Sequence, residues 1–330
     1  HLRVFFCQQL PRASAIARPV LNPLQKRMLG ARRALASRGF NEAITWAFLP
    51  EEHAKLFGGG QPELKLANPI SSELSDMRPS LLANLIAAAG RNMDRGFADM
   101  MLSEVGHAYA GDRPQDETLR AAGIRRGAFT GRNVHGGSRA VDAFDAKADA
   151  LAVLEAAGAP VATLQVVAGG PAWFHPGRCG TIQMGPQNKL GYFGEIHPRV
   201  LSAMDVKGPL VAFELILNAI PGSKSKGATR AALVISDLMP LSRDFAFVVD
   251  EKVPAADITR MALKADPKLI TGARVFDVYR GASIGEGKKS VAIEITLQPR
   301  GAAMTDEQIE AVSSSIVKSV AKATGATLRG

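Results

Sequence analysis

From Asp244 to Arg329 the apolar residues switch between a period of two and a period near 3.6, and the order of these switches constrains the fold more than any other feature. Alternation marks a strand at Asp244–Val249, and a helical pattern follows at Pro254–Ala265. Two alternating runs come next, Arg274–Tyr279 and Ser290–Leu297, then a long helical run at Asp306–Ala323 and a short closing strand at Thr327–Arg329. The order is βαββαβ, which defines a ferredoxin-like domain with one sheet face open.

The same alternation predicts which side chains share a face. Phe245, Phe247 and Val249 point to the core in the first strand, leaving Ala246 and Val248 opposite. In the second strand Phe276 and Val278 are the expected core pair, so Val275, Asp277 and Tyr279 are placed on the open face. In the third, Val291, Ile293, Ile295 and Leu297 face the core, while Ser290, Ala292, Glu294 and Thr296 oppose them. Ile309, Val312, Ile316 and Val320 of the last helix are spaced to cover the core side. The open face then carries Ala246, Asp277, Tyr279 and Ser290, with Arg280, Lys288 and Lys289 at its rim. An exposed aromatic can stack a splayed base, an aspartate can accept from a guanine's Watson–Crick N–H groups, and a basic rim can meet phosphates. An ordinary solvated sheet face is the plainer reading of composition alone.

Upstream, helices are expected at Pro23–Ser37, Pro79–Asn92 and Ala146–Ala157. Strands are expected at Ala43–Phe48, Met100–Tyr109, Gly127–Thr130, Thr163–Val167, Gly180–Met184, Leu190–Glu195 and Leu210–Leu217. Helices and strands in this order predict a mixed, mainly antiparallel α+β core over 21–220. Residues 1–20 form an unplaced connector, and 221–236 a polar linker before the last domain at 237–330. The first residue is His1 and not Met, so a longer parent chain is expected.

Charge narrows the partners. The net charge is +9, yet eight basic residues precede the first acidic one, Glu42. Elsewhere 32 basic residues face 31 acidic ones, and from Asp237 onward the count is 13 against 12. Nucleic-acid binding must therefore come from placed side chains and not from a diffuse positive field. Two cysteines, Cys7 and Cys179, with no CxxC spacing argue for a reducing compartment and against a thiolate metal site. No apolar run is long enough to span a membrane. His175 and His197 sit in His-Pro pairs without a second ligand at metal spacing, so turn roles are expected for both. Ser71–Asp76 is expected to be a loop feeding a helix, and Trp46 and Trp173 core or interface aromatics.

The runs SRDFAFVVD, FDVYRG, GKKS and a terminal LR, in this order, resemble the anticodon-binding domain that ends bacterial phenylalanyl-tRNA synthetase β subunits. RRALASRGFNEAITWAF, ANPISSELSDMRPSLLANLI, LSEVGHAY, FHPGRCGTI and LGYFGEIHPRV resemble the class II synthetase-like core of the same subunits. The likeness covers about Leu21 to Arg329. It implies that Asp277, Tyr279 and Ser290 read the first anticodon base of tRNA(Phe). Arg243 and Asp244 also match the family pattern, and because they precede a buried strand a structural ion pair or a strand-edge role is expected for them.

For the core, the likeness implies a class II fold without its chemistry. If Glu104 aligns with the glutamate of the family's ATP-binding motif, Leu102 stands where an arginine would clamp phosphate. No catalytic residue, metal site or bound cofactor is expected here. ATP and Mg²⁺ would belong chiefly to a catalytic α subunit in an (αβ)₂ heterotetramer in the cytoplasm. The helix from Pro23 and the run Ala43–Phe48 resemble the class II dimerisation motif that would pack on α. Two rivals stand beside this reading: an active synthetase within the chain, and a stand-alone RNA-binding paralogue with no role in charging.

Overall fold

The computed structural model describes residues 20–131, 133–222, 232 and 235–329. The connector at 1–19, Cys7 within it, and the linker residues 223–231 and 233–234 lie outside the described residues. Two compact units separate near Lys226.

Helix α1 (Pro23–Ser37) starts where the sequence placed it. Asn22 and Gln25 form a reciprocal capping box ahead of Pro23, and Gly39 takes φ 87° just past the end. Ala31 and Leu35 are buried, while Leu24 and Met28 pack at the edge of the same cluster. Next come β1 (Asn41–Glu42), β2 (Phe48–Leu49), α2 (Glu51–Leu56), β3 (Asp76–Met77) and α3 (Leu81–Asp94). The sheet continues with β4 (Met100–Tyr109) and β5 (Glu117–Arg126) before α4 (Ala143–Ala156). Then β6 (Gln165–Ala168), β7 (Phe174–Gln183), β8 (Lys189–Ile196), α5 (Pro198–Ala203) and β9 (Leu210–Ile216) complete the unit.

Seven strands form one sheet in the order β1-β4-β5-β9-β8-β7-β6. Only the β1–β4 pairing is parallel. The pleat divides each strand between two cores. Val211, Phe213 and Leu215 of β9 face α1 and α4, whereas Leu210 and Ala212 face α3. Two expectations are corrected, and one strand is added. The strand at Ala43–Phe48 is absent: after a short parallel pairing the chain leaves the sheet, and β2 pairs only with β3. Side chains hold this stretch in place of a ladder. Thr45 Oγ1 donates to Glu104 at 2.6 Å, and Asn84 Nδ2 donates to the Trp46 carbonyl at 2.8 Å. Gly127–Thr130 forms an isolated bridge, Ala128 to Ala140, and no strand. Beyond β1, β4 pairs on its other side with β5, a strand for which no expectation was raised because Ala121, Ala122 and Gly123 have little strand propensity.

The second unit contains β10 (Leu241–Asp250), α6 (Ala255–Ala265), β11 (Ile270–Tyr279), β12 (Lys288–Leu297), α7 (Asp306–Thr324) and β13 (Thr327–Leu328). Its antiparallel sheet runs β11-β12-β10-β13. Ile258 and Ala262 of α6, with Val312, Ile316 and Val320 of α7, close over Phe245, Phe247, Val291, Ile293 and Ile295. The other face is left open. The predicted βαββαβ order is present element for element.

Candidate nucleic-acid interface

The open face is built in rows across three strands, because residues paired in register share a side of the sheet. One row is Asp277 on β11, Ala292 on β12 and Ala246 on β10. The next is Tyr279, Ser290 and Val248. Beyond the first row lie Arg274, Glu294 and Asp244, where Arg274 pairs with Glu294 at 2.7 Å. The floor is thus made of small side chains, with a carboxylate and a phenol standing at one margin. Asp277 is exposed and Tyr279 is 43% exposed.

Asp277 and Tyr279 lie on the open face as expected, whereas Val275 and Phe276 exchange places. A bulge between Val275 and Asp277 inserts one extra residue, Phe276, opposite β12. Val275 therefore pairs with Ile293 and packs against the core, and Phe276 is 52% exposed. Val278 faces Val291 on the core side, as expected, though it stays 39% exposed on this edge strand.

The remaining predicted residues differ in what they offer. Ser290 lies on the open side in register but is only 3% exposed, since the central strand is flanked by Tyr279 and Val248. Ala246 is half-buried and forms part of the floor. Arg280 donates three hydrogen bonds to Glu251, the shortest 2.8 Å; this partner raises its pKa and lowers that of the glutamate. Lys289 is a correction to the basic rim. It pairs with Val249 on the core side, is buried, and donates from Nζ to the Glu251 carbonyl at 2.7 Å. Lys288 is exposed and makes no ion pair among the described residues. Arg243 and Asp244, offered as an ion pair or a strand-edge feature, make no pair with each other; both line a groove between β10 and α7.

Sequence reasoning missed Arg329 as a site residue, although the terminal LR contains it. Its guanidinium Cζ lies 5.6 Å from the Tyr279 ring centroid. Only the register, which lays the chain beyond β13 beside Ala246, reveals this approach.

In the first unit the tempting sites are structural. His197 caps α5 by accepting from the Arg199 N–H, and His175 accepts from the Gly177 N–H. Burial pushes the Cys179 thiol pKa up, which keeps it protonated. Ser71 precedes a short 3₁₀ turn ahead of β3. Trp46 is 67% exposed, so it is no core residue, whereas Trp173 packs on Phe57. Glu104 is buried in an ion pair with Arg78 at 2.8 Å and also accepts from Thr45. Leu102, beside it on β4, packs into the α3-side core. An aliphatic side chain and an already satisfied carboxylate do not fit the phosphates of a nucleotide.

A mixed seven-stranded sheet with helices on both faces, followed by a ferredoxin-fold sheet with one open face, defines a two-domain α+β protein with a candidate nucleic-acid surface. Comparison with known families agrees. Residues 8–217 match the family described as the phenylalanyl tRNA synthetase beta chain CLM domain, and residues 236–329 match the ferredoxin-fold anticodon binding domain. Similar proteins include the phenylalanine–tRNA ligase beta subunit of Bradyrhizobium diazoefficiens, 56% identical over 99% of this chain and 42% of that protein. Those of Rhodopseudomonas palustris and Brucella suis are 58% and 54% identical, covering 97% and 98% of this chain and 40% and 41% of those proteins. The chain belongs to the phenylalanyl-tRNA synthetase β chain family. It spans about two fifths of the length of these curated relatives.

Proposed function

We propose that this chain acts as the C-terminal part of a phenylalanine–tRNA ligase β subunit, seating the anticodon end of tRNA(Phe) on its open sheet. The observation that carries this reading is the small-residue floor of Ala246, Ala292 and Ser290 beside exposed Asp277 and Tyr279. Tyr279 supplies a stacking surface for the first anticodon base, and Asp277 accepts from the N–H edge of a guanine. Lys288 and the loop beside it face the backbone. The chain itself is non-catalytic; ATP and Mg²⁺ serve the α subunit, with which it assembles as (αβ)₂ in the cytoplasm.

The surface proposed for α is the stretch after β1. Ile44 and Trp46 are 89% and 67% exposed there, around a depression of about 450 Å³ that also takes in Leu49, His53, Asn84 and Arg91. Exposed apolar groups beside a pocket are what a partner subunit covers. The test is co-expression with a cognate α subunit and charging of tRNA(Phe) by wild type and Tyr279→Ala. Unchanged tRNA affinity in Tyr279→Ala removes the stacking role, and failure to form an α–β complex removes the subunit reading. A regulatory RNA binder independent of α is not favoured, since the named relatives, matched along nearly the whole chain, are all ligase subunits.

A further inference from the structure

Tyr279 is held from two directions. Its hydroxyl end folds toward the loop after β11, where a Cβ on Gly281 would run into Oη. Its ring also lies within reach of Arg329, whose Cζ is 5.6 Å from the centroid. Arg329 is itself fixed at the backbone, donating its N–H to the Ala246 carbonyl at 2.8 Å. Neighbouring cations are engaged: Arg280 by Glu251, Arg274 by Glu294, and Lys289 by a carbonyl. The Arg329 guanidinium makes no hydrogen bond or ion pair among the described residues, so its planar head remains available above the floor.

A flat base between two flat groups needs van der Waals distance on each side, roughly 7 Å in all. The observed 5.6 Å is short of this by an amount that rotation of a long arginine side chain supplies. Arginine suits such a position because its guanidinium stacks on π-faces and is weakly hydrated.

We propose that Arg329 is the second wall of the base slot, its guanidinium closing over the first anticodon base while Tyr279 supports the opposite face. In the free protein the two walls rest 5.6 Å apart, and rotation of the arginine opens the slot to a base. The inference rests on the anticodon reading above and adds a base-contacting residue to it. It also separates two uses of a positive side chain. A phosphate contact needs only charge, and lysine can replace it; a stacking wall needs the plane, and lysine cannot.

The experiment measures tRNA(Phe) binding by the full β subunit in complex with α. It uses wild type, Arg329→Lys, Arg329→Ala and Tyr279→Ala. Each is tested on normal tRNA and on the same tRNA with an abasic first anticodon position. Both Arg329 variants are expected to weaken binding of normal tRNA about five- to twentyfold, as loss of one stacking partner does. On the abasic tRNA they should match wild type. Full affinity in Arg329→Lys, or equal weakening on abasic tRNA, makes Arg329 a phosphate contact and overturns the proposal. No effect of either Arg329 variant overturns it as well, while a loss in Tyr279→Ala leaves the platform standing. If Tyr279→Ala also has no effect, the anticodon reading itself falls. Thermal melting of each complex separates these outcomes from misfolding, and Arg329→Lys preserves the charge and most of the bulk.

Discussion

Gly281 shows how a residue without a side chain can shape a site. Its backbone is extended, at φ −168°, so nothing in its conformation demands glycine. The demand comes from space, because Tyr279 Oη occupies the place of a β-carbon. Gly281→Ala is expected to turn the Tyr279 ring and weaken tRNA(Phe) binding by about three- to tenfold, with the melting temperature little changed. Binding titration beside a thermal melt checks this. The sequence already displayed the motif FDVYRG, and alternation put Asp277 and Tyr279 on one face. It could not show the burial of Ser290, which depends on the neighbouring strands, whereas the inward turn of Lys289 follows from the same alternation, two residues before Val291, and the rim placement ran against it.

At the scale of elements, α4 illustrates both what a sequence announces and what is easily overlooked. The helix begins at Ala143, three residues before the apolar pattern suggested. Asp142 accepts from the N–H groups of Phe144 and Asp145, and Asp145 accepts in return from the Asp142 N–H. This is an aspartate version of a capping box, a signal present in the sequence. Asp142→Ala should lower stability by about 1 kcal/mol in chemical denaturation. Asp145 has a second partner, Arg139, which grips both its oxygens at 2.6 and 2.7 Å and holds its carboxyl below the usual aspartate range. A depressed folded-state value stabilises the fold above the unfolded aspartate pKa, and that contribution disappears as pH falls through the folded value. The stability gap between wild type and Asp145→Asn should therefore shrink once pH drops below about 4, as denaturation at a series of pH values would show. Strand β5 was illegible for a different reason. A Cβ at Gly123 would meet Phe213 and Phe40 at 2.6 and 2.9 Å, so small residues are required where strand propensity asks for large ones.

At the scale of the whole molecule, the chain separates into two compact units with separate cores, two clusters in the first and one in the second. The stretch Ala43–Ala47 was poorly legible in the sequence. Its β-branched and aromatic residues suggested a strand, yet Ile44 and Trp46 project from the surface. Propensity reports fitness for a half-buried surface, and a subunit interface supplies one as well as a sheet does. Ile44→Asp combined with Trp46→Ala is expected to weaken association with α by about 2 kcal/mol or more while leaving the melting temperature of the isolated chain nearly unchanged. Co-purification and analytical ultracentrifugation measure the first, and calorimetry the second.

The bulge at Phe276 bears on how this domain can vary in length over evolutionary time. Val275 and Asp277 pair with consecutive residues of β12, so Phe276 could be lost without altering which side any other residue faces. Loss of Val278 would instead bring Tyr279 round to the helical side. Insertions and deletions in related chains should therefore be tolerated at the first position and excluded at the second, only two residues away.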